Sequence, residues 1–324
     1  IYCSENHTLI TAHTGSGKTL PAEFAIQYFK KLGKKVIYTG PIKALCNQKL
    51  YDFRNKYPNI SFGLLTGDIK DNPEADVLIM TTEILRNTLF NKEIINKDNT
   101  NKSLLNFEMD FDNELAAVVF DEVHYISDED RGSVWEQAII LLPKHIQLIM
   151  LSATIHNPDK FANWIEEKKM NKDNKKYVYL CSTDHRVVPL SHYMWLSCNN
   201  NIVKEVKNTE MENEFKNYVN KPILINDNKN NFNEINYNKI VKLENYISSK
   251  KKSHIKRAYV LNNLIYYLKK NNMIPALCFI FSRKNVEICA NEINCSLFDS
   301  EDTVPNTIEN ECKQILIKKL PGYK

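Results

Sequence analysis

Short apolar runs alternate with amphipathic stretches through the first 196 residues of the chain. The predicted strands are 7–12, 35–39, 61–65, 76–80, 115–120, 146–151, 176–181 and 190–196. The predicted helices are 18–32, 42–57, 81–90, 132–142 and 157–168. Several of these strands are apolar throughout, as expected when helices cover both faces of a parallel sheet. The pattern therefore predicts an α/β fold with a doubly wound parallel sheet.

The pattern changes after residue 199, where the chain becomes dense in Asn, Lys and Glu and loses sustained periodicity. Such a composition is typical of a linker or a partly disordered insertion. Order returns with a predicted helix at 257–270, a buried strand at 276–282 and a helix at 284–293. We therefore expect a first domain over 1–196, a linker or insertion over 197–256, and the incomplete beginning of a second, similar domain over 257–324.

Composition narrows the class of protein only slightly. The 324 residues are 43% apolar and 25% charged, with a formal net charge of +4, which is compatible with a polyanionic partner without requiring one. The eight cysteines include no C-x-x-C pair, so no zinc site is expected. Neither a signal peptide nor a membrane-length apolar run occurs, which favours a cytoplasmic or nuclear protein with free thiols and no membrane partner. The chain begins with Ile1, and we expect it to be a fragment.

The stretch AHTGSGKT at 12–19 lies between a predicted strand and a predicted helix. It lacks the first glycine of the G-x-x-x-x-G-K-[ST] pattern, since Ala12 stands there, but keeps the remainder. Glycines let the backbone turn its amides toward phosphate oxygens, Lys18 can reach the β and γ phosphates, and the Thr19 hydroxyl can bind Mg²⁺. The predicted nucleotide-binding residues are Ala12, His13, Thr14, Gly15, Ser16, Gly17, Lys18 and Thr19.

A second acidic strand end supports this prediction. The run LAAVVFDEVH at 115–124 delivers Asp121 and Glu122 to the carboxyl edge of the sheet, where α/β folds bind ligands. Asp121 can hold Mg²⁺, and Glu122 can orient and deprotonate an attacking water. His124 and the sequence LSAT at 151–154 are weak signals when each is taken alone.

In this order along the chain, the motifs resemble those of superfamily 2 helicases of the DExH type, and most closely the superkiller and exosome-cofactor group of antiviral and RNA-decay helicases. The segments that carry the resemblance are AHTGSGKT at 12–19, PIKALCNQK at 41–49, LLTGD at 64–68, MTTEILR at 80–86, DEVH at 121–124, DEDRGSVWE at 128–136, SAT at 152–154, HRVVPLSHYMW at 185–195 and CFIFSRKNVE at 278–287. The resemblance implies two RecA-like domains, the second of which starts near residue 257.

The resemblance also implies roles for individual residues. Lys18, Asp121 and Glu122 would be catalytic, with Thr19 and Asp121 as the Mg²⁺ ligands. The residues that would couple nucleotide state to nucleic acid are His124, Ser152, Ala153 and Thr154. The residues that would bind nucleic acid are Pro41, Ile42, Lys43, Thr66, Gly67, Thr81, Thr82 and Arg86. Helix N-termini and small residues at strand ends suit phosphate contacts without base recognition. Lys43 and Arg86 are equally well explained as solvated helix residues.

The resulting hypothesis is an ATP-dependent RNA helicase with Mg²⁺ as cofactor, moving 3′ to 5′ on single-stranded or partly duplex RNA, within an RNA-decay complex. The resemblance supplies the direction and the preference for RNA. The motifs of the second domain that carry the arginine finger do not occur before Lys324, so we expect this chain by itself to hydrolyse ATP poorly. A DNA helicase or translocase and a truncated ATP-gated binding module without turnover stay open as alternatives. A P-loop kinase or GTPase would not explain the segments at 41–49 and 80–86.

Overall fold

The computed structural model describes residues 6–98, 109–170, 176–207, 209–250, 255–296, 298 and 303–319. The chain divides into two compact units, Ile1–Val188 and Pro189–Lys324. Among the described residues, no helix combines the length and the apolar character needed to cross a membrane.

The first unit is built around an eight-stranded sheet with the order β4-β3-β5-β2-β6-β7-β1-β8. Its strands are β1 (His7–Ala12), β2 (Lys35–Gly40), β3 (Phe62–Leu65), β4 (Lys70–Asp71), β5 (Val77–Thr81), β6 (Leu115–Phe120), β7 (Gln147–Ser152) and β8 (Val178–Thr183). All neighbouring pairs are parallel except β3 with β4. The carboxyl ends of the parallel strands therefore meet at one edge of the sheet.

Helices cover both faces of this sheet. They are α1 (Thr19–Lys31), α2 (Lys43–Lys56), α3 (Thr82–Asp98), α4 (Gly132–Leu141) and α5 (Pro158–Lys169), with a short 3₁₀ helix at Val123–Ser127. Two buried apolar clusters lie on opposite faces, one containing residues of α1 and α2 and the other residues of α3, α4 and α5. The continuous burial of β5 and β7 follows from this double cover. The predicted α/β doubly wound class is confirmed, and most strand and helix limits lie within a few residues of those expected. The exceptions are α3, which ends at Asp98 where residue 90 was expected, and β4, which was not predicted.

The second unit is mainly helical in its described part, where its sheet has two strands. Its elements are β9 (His192–Trp195), α6 (Asn200–Val206), α7 (Glu212–Tyr218), β10 (Pro222–Asn226), α8 (Glu234–Ser248), α9 (Arg257–Lys270), α10 (Arg283–Asn291) and α11 (Val304–Lys319). Strands β9 and β10 form an antiparallel pair.

The described part of 197–256 is mostly helical, so the expected partial disorder is wrong for that part, while the linker or insertion stays a prediction. Its sparse apolar side chains are gathered into one buried cluster, made of Cys198, Ile202, Val206, Phe215, Leu243 and Ile247. The asparagines that suggested disorder partly serve as helix caps. The Asn199 side chain accepts hydrogen bonds from the amides of residues 201 and 202, and Asn233 accepts one from the amide of residue 236.

The predicted buried strand at 276–282 is also wrong. The segment belongs to no sheet, and Leu277, Phe279 and Phe281 are 86%, 78% and 102% exposed. An apolar run becomes a buried strand only where neighbouring strands satisfy its backbone, and no strand among the described residues pairs with it.

Candidate functional site

The loop between β1 and α1 has the open geometry that its glycines suggest. Gly15 and Gly17 adopt φ values of +84° and +83°, and a Cβ placed on either would meet no atom within 4 Å. The Ser16 amide donates a hydrogen bond to the His13 carbonyl, which closes the turn. Helix α1 then begins at Thr19 without a side-chain cap, so its first amides face the loop. Left-handed glycines before an uncapped helix form a cradle that favours an anion.

The Lys18 side chain reinforces this preference for an anion. Its ammonium nitrogen is inaccessible to solvent and has no hydrogen-bond partner within the described chain, and the same holds for the Ser16 hydroxyl. A buried cationic group without a partner is costly, whereas a phosphate would supply acceptors for both groups. The loop therefore fits a phosphate group on the evidence of its own side chains.

The two acidic residues follow β6 at the carboxyl edge of the sheet. One oxygen of Asp121 (Oδ2) accepts a hydrogen bond of 2.5 Å from the Tyr38 hydroxyl, and the other (Oδ1) accepts one of 3.0 Å from the Glu122 amide. Burial, the Asp121 charge and this hydrogen bond hold the pKa of Tyr38 well above its usual value. Tyr38 therefore stays protonated and fixes the orientation of the Asp121 carboxylate.

Glu122 is held in a backbone conformation that is rare for its residue type. Its φ and ψ are +53° and +46°, in the left-handed region. Its Oε2 is buried without a hydrogen-bond partner among the described residues, although His124 Nδ1 lies 3.3 Å away in a poorly aligned contact. Strained backbone and an unpaired buried acceptor are features that concentrate at functional sites.

Lys49 connects the loop with the acidic strand end. Its ammonium lies 2.8 Å from the Thr19 hydroxyl oxygen and 3.9 Å from Asp121 Oδ2. Thr19 and Asp121, separated by 102 positions in the chain, therefore both lie close to one ammonium group. Sequence reasoning assigned no role to Lys49 or to Tyr38. A signal existed for Lys49, since it lies on the same face of α2 as the buried Cys46 and Phe53.

The residues of the SAT segment lie on the neighbouring strand β7 and just after it. Ser152 pairs with Thr11 of β1, is fully buried, and has a hydroxyl without a hydrogen-bond partner in the described structure. Ala153 is half-buried and Thr154 is exposed. Ser152 thus lies beside the strand that leads into the phosphate-binding loop.

Most of the predicted nucleic-acid residues gather along the β3, β5 and β2 half of the same edge. The Lys43 ammonium lies 2.7 Å from Asp68, which also accepts a hydrogen bond of 2.9 Å from the Thr66 hydroxyl. A Cβ on Gly67 would lie 3.8 Å from the Lys43 nitrogen. Pro41 and Ile42 lead into α2, while Thr81 ends β5 and the buried Thr82 starts α3.

Arg86 is the member of the set that the structure places apart from this group. One guanidinium nitrogen donates to the Gln137 side chain on α4 at 3.2 Å, and the guanidinium carbon lies 5.9 Å from the Phe90 ring centroid. The half-buried side chain thus contacts a neighbouring helix.

Comparison with known proteins gives the same family as the motifs. The model of the family described as DEAD/DEAH box helicase matches residues 1–161. A Schizosaccharomyces pombe protein named as an uncharacterized helicase is 37% identical over 320 residues, which are 96% of this chain and 26% of that protein. The antiviral helicase SKI2 of Saccharomyces cerevisiae is 45% identical over 186 residues, 57% of this chain and 13% of that protein. The exosome RNA helicase MTR4 of Homo sapiens is 31% identical over 335 residues, 99% of this chain and 28% of that protein.

The chain therefore spans between 13% and 28% of the length of these relatives. Residues 1–161 are a DEAD/DEAH box helicase domain, and the chain belongs with these proteins to the superkiller-type group of DExH helicases.

Proposed function

We propose that the full-length protein is an ATP-dependent RNA helicase of RNA processing or decay, which moves 3′ to 5′ along RNA. The names of the relatives support this proposal, since one is an exosome RNA helicase and another an antiviral helicase. We further propose that 1–196 form the first RecA-like domain, although the compact unit ends at Val188. In this proposal 197–256 form a linker or insertion, and 257–324 begin a second RecA-like domain that is incomplete in this chain.

One observation carries the ATP-binding part of the proposal. Thr19 and Asp121 meet around the Lys49 ammonium, next to a loop whose Lys18 nitrogen is buried and lacks a partner among the described residues. A hydroxyl and a carboxylate close to one cationic group, beside a phosphate cradle, are oxygen ligands of the kind that Mg²⁺ with a nucleotide phosphate prefers. In this proposal the loop 12–19 holds the triphosphate, and Thr19 and Asp121 hold the metal.

The remaining side chains suggest how hydrolysis would proceed. When bound with ATP, Mg²⁺ neutralises phosphate charge. Lys18 would bind the β and γ phosphates through its buried ammonium. Glu122 would accept the proton of the attacking water at its unpaired Oε2, and the left-handed backbone at this residue holds the carboxylate at the strand end. His124 lies beside that oxygen. Together with Ser152, Ala153 and Thr154, it would couple the nucleotide-bound state of the site to the binding of nucleic acid.

The nucleic-acid side of the proposal rests on the group around Lys43. The amides at the start of α2 and α3, the Thr66 hydroxyl and Gly67 lie at the ends of neighbouring strands, where they could contact consecutive backbone phosphates. Such contacts would be sequence-independent and sensitive to salt. Arg86 belongs to the same proposed RNA contacts, but its hydrogen bond to Gln137 would have to break before it could contact RNA.

The test uses the full-length protein with Lys18→Ala and Glu122→Gln. Both variants should lose ATP turnover by at least about 100-fold, while Glu122→Gln should still bind nucleotide, because it keeps the loop and removes only the base. Matched controls are Lys31→Ala, at the far end of α1, and Glu129→Gln, both at exposed positions. Turnover in Lys18→Ala or Glu122→Gln equal to that of its control would contradict the assignment of the site.

A second measurement addresses the choice of nucleic acid. ATP turnover of the full-length protein is compared in the presence of single-stranded RNA and single-stranded DNA of the same sequence. Duplexes with a 3′ or a 5′ overhang then test the direction of movement. Stronger stimulation by RNA and unwinding from a 3′ overhang are expected. Equal or greater stimulation by DNA would favour the DNA helicase alternative.

A further inference from the structure

Lys49 makes contacts that the proposed reaction does not explain. Its ammonium donates a hydrogen bond to the Thr19 hydroxyl at 2.8 Å and lies 3.9 Å from Asp121 Oδ2. These are the two oxygen atoms that would hold the divalent cation if the proposed function is correct, and the inference below rests on that function. We propose that Lys49 competes with Mg²⁺ for Thr19 and Asp121, and that its ammonium must move away when the metal binds.

The distances place the ammonium where it would oppose a bound metal ion. Mg²⁺ binds oxygen at about 2.0–2.1 Å and requires near-octahedral geometry. A cation bound to the Thr19 hydroxyl at about 2.1 Å would lie at most about 5 Å from the present position of the Lys49 nitrogen, which is 2.8 Å from that oxygen, so the two positive charges would repel. The hydrogen bond from Lys49 also occupies one of the two lone pairs of the Thr19 hydroxyl oxygen, which the metal would bind.

The surroundings of Lys49 hold its ammonium at this position. The side chain is only 21% exposed, and the nitrogen lies 6.0 Å from the ring centroids of both Tyr38 and Phe53. Aromatic faces at this distance attract a cation. Tyr38 in addition donates a hydrogen bond to Asp121 Oδ2, the oxygen that lies 3.9 Å from the Lys49 nitrogen. The ammonium is therefore a bound group of the site and differs from the solvated lysines of the surface.

Helix α2 provides a matched comparison. Lys56, the last residue of this helix, forms an ion pair of 2.5 Å with Glu23 on α1, which involves neither Thr19 nor Asp121. Replacement of Lys56 by Met removes the same charge from the same helix without altering the proposed metal ligands. Replacement of Lys49 by Met keeps a long unbranched side chain and removes the charge and the donor. Lys49→Arg keeps the charge, and Lys49→Gln keeps a donor without it.

The experiment measures binding of a fluorescent ADP analogue to the full-length protein as MgCl₂ is titrated. Lys49→Met and Lys49→Gln should lower the half-saturating Mg²⁺ concentration by about 3- to 10-fold, because both remove the charged donor and the neutral amide of Gln competes more weakly for the Thr19 oxygen. Lys49→Arg and Lys56→Met should stay within about twofold of wild type. The affinity for the analogue at saturating Mg²⁺ should be unchanged in all four variants. Thermal unfolding of each variant establishes that it is folded. If Lys49→Met does not fold, Lys49→Gln alone tests the proposal.

Two results would overturn the inference. An unchanged or raised half-saturating Mg²⁺ concentration in the folded Lys49→Met or Lys49→Gln protein excludes competition. A tenfold loss of analogue affinity at saturating Mg²⁺ would instead make Lys49 a phosphate ligand. The Lys18→Ala variant distinguishes a failure of this inference about Lys49 from a failure of the proposed function. If Lys18→Ala loses the analogue while Lys49→Met has wild-type Mg²⁺ dependence, only the inference fails, whereas wild-type binding by Lys18→Ala contradicts the proposed nucleotide site itself.

Discussion

The hydrogen bond between Tyr38 and Asp121 gives a prediction that can be worked out in detail from the structure. Tyr38 is 1% exposed, the Asp121 side chain is 13% exposed, and their oxygens are 2.5 Å apart. Tyr38→Phe keeps the ring and removes only the hydroxyl. A hydrogen bond to a charged group contributes about 1.5–3 kcal/mol to stability. We expect a loss near the lower end of this range, because Asp121 keeps the Glu122 amide and the Lys49 ammonium as partners.

The pH dependence of this loss has a definite sign. The pKa of Tyr38 is raised well above 10 by burial, by the Asp121 charge and by the hydrogen bond to Asp121. The folded protein therefore keeps the Tyr38 proton at a pH where the unfolded chain releases it. The contribution of Tyr38 to stability is complete below about pH 10 and falls above it, by up to about 1.4 kcal/mol per pH unit. The difference between wild type and Tyr38→Phe should thus be constant from pH 7 to 9 and should shrink above pH 10.

Urea denaturation followed by circular dichroism under reducing conditions measures both effects. Tyr57→Phe is the matched control, since its hydroxyl also donates to a carboxylate, that of Glu23 at 2.6 Å, but lies outside the proposed nucleotide site. Both variants should lose stability, and only Tyr38→Phe should also alter Mg²⁺-dependent binding of nucleotide. An unfolding free energy of Tyr38→Phe within about 0.5 kcal/mol of wild type at pH 7.5 would refute the reasoning, given the expected minimum of about 1.5 kcal/mol.

Two further predictions concern the first unit. Gly132→Ala should destabilise the protein by about 1–3 kcal/mol or more in thermal or urea unfolding, because the added Cβ would lie 2.3 Å from the backbone oxygen of Ile126. The control Ser133→Ala, at the exposed neighbouring position, should change the stability little. Lys43→Ala should weaken RNA binding to a similar extent for all sequences and reduce the slope of log affinity against log salt by about one, measured by fluorescence anisotropy. Its stability should change little, since the pair with Asp68 is exposed, and an unaltered salt slope would remove Lys43 from the proposed RNA contacts.

The sequence was a good guide to the arrangement of the sheet edge. Apolar runs located the strands, and the rule that parallel strands end at a common edge is enough to place the loop at 12–19 near Asp121. The contact itself depends on a third residue. Lys49 reaches both Thr19 and Asp121 only because α2 packs on the same face of the sheet as α1, and no local pattern specifies that geometry. The role of the Tyr38 hydroxyl was not predicted, because a tyrosine within an apolar strand usually indicates core packing.

The second unit shows where composition and hydrophobicity mislead. A few apolar residues at helical spacing were enough to form a buried cluster within a segment dominated by Asn and Lys. Conversely, strong hydrophobicity did not make the segment 276–282 a strand, because strand formation depends on partners that a local pattern does not reveal. In both segments the outcome is set by contacts between distant residues.

The central claim is that the loop at 12–19 and the acidic end of β6 bind one nucleotide with its metal. A crystal structure of the full-length protein with a non-hydrolysable ATP analogue and Mg²⁺ tests it most directly. We expect phosphate oxygens within hydrogen-bond distance of Lys18 Nζ, and Mg²⁺ bound by the Thr19 hydroxyl and by Asp121 directly or through a water. An analogue bound elsewhere, with the Lys18 ammonium still unpaired, would contradict it.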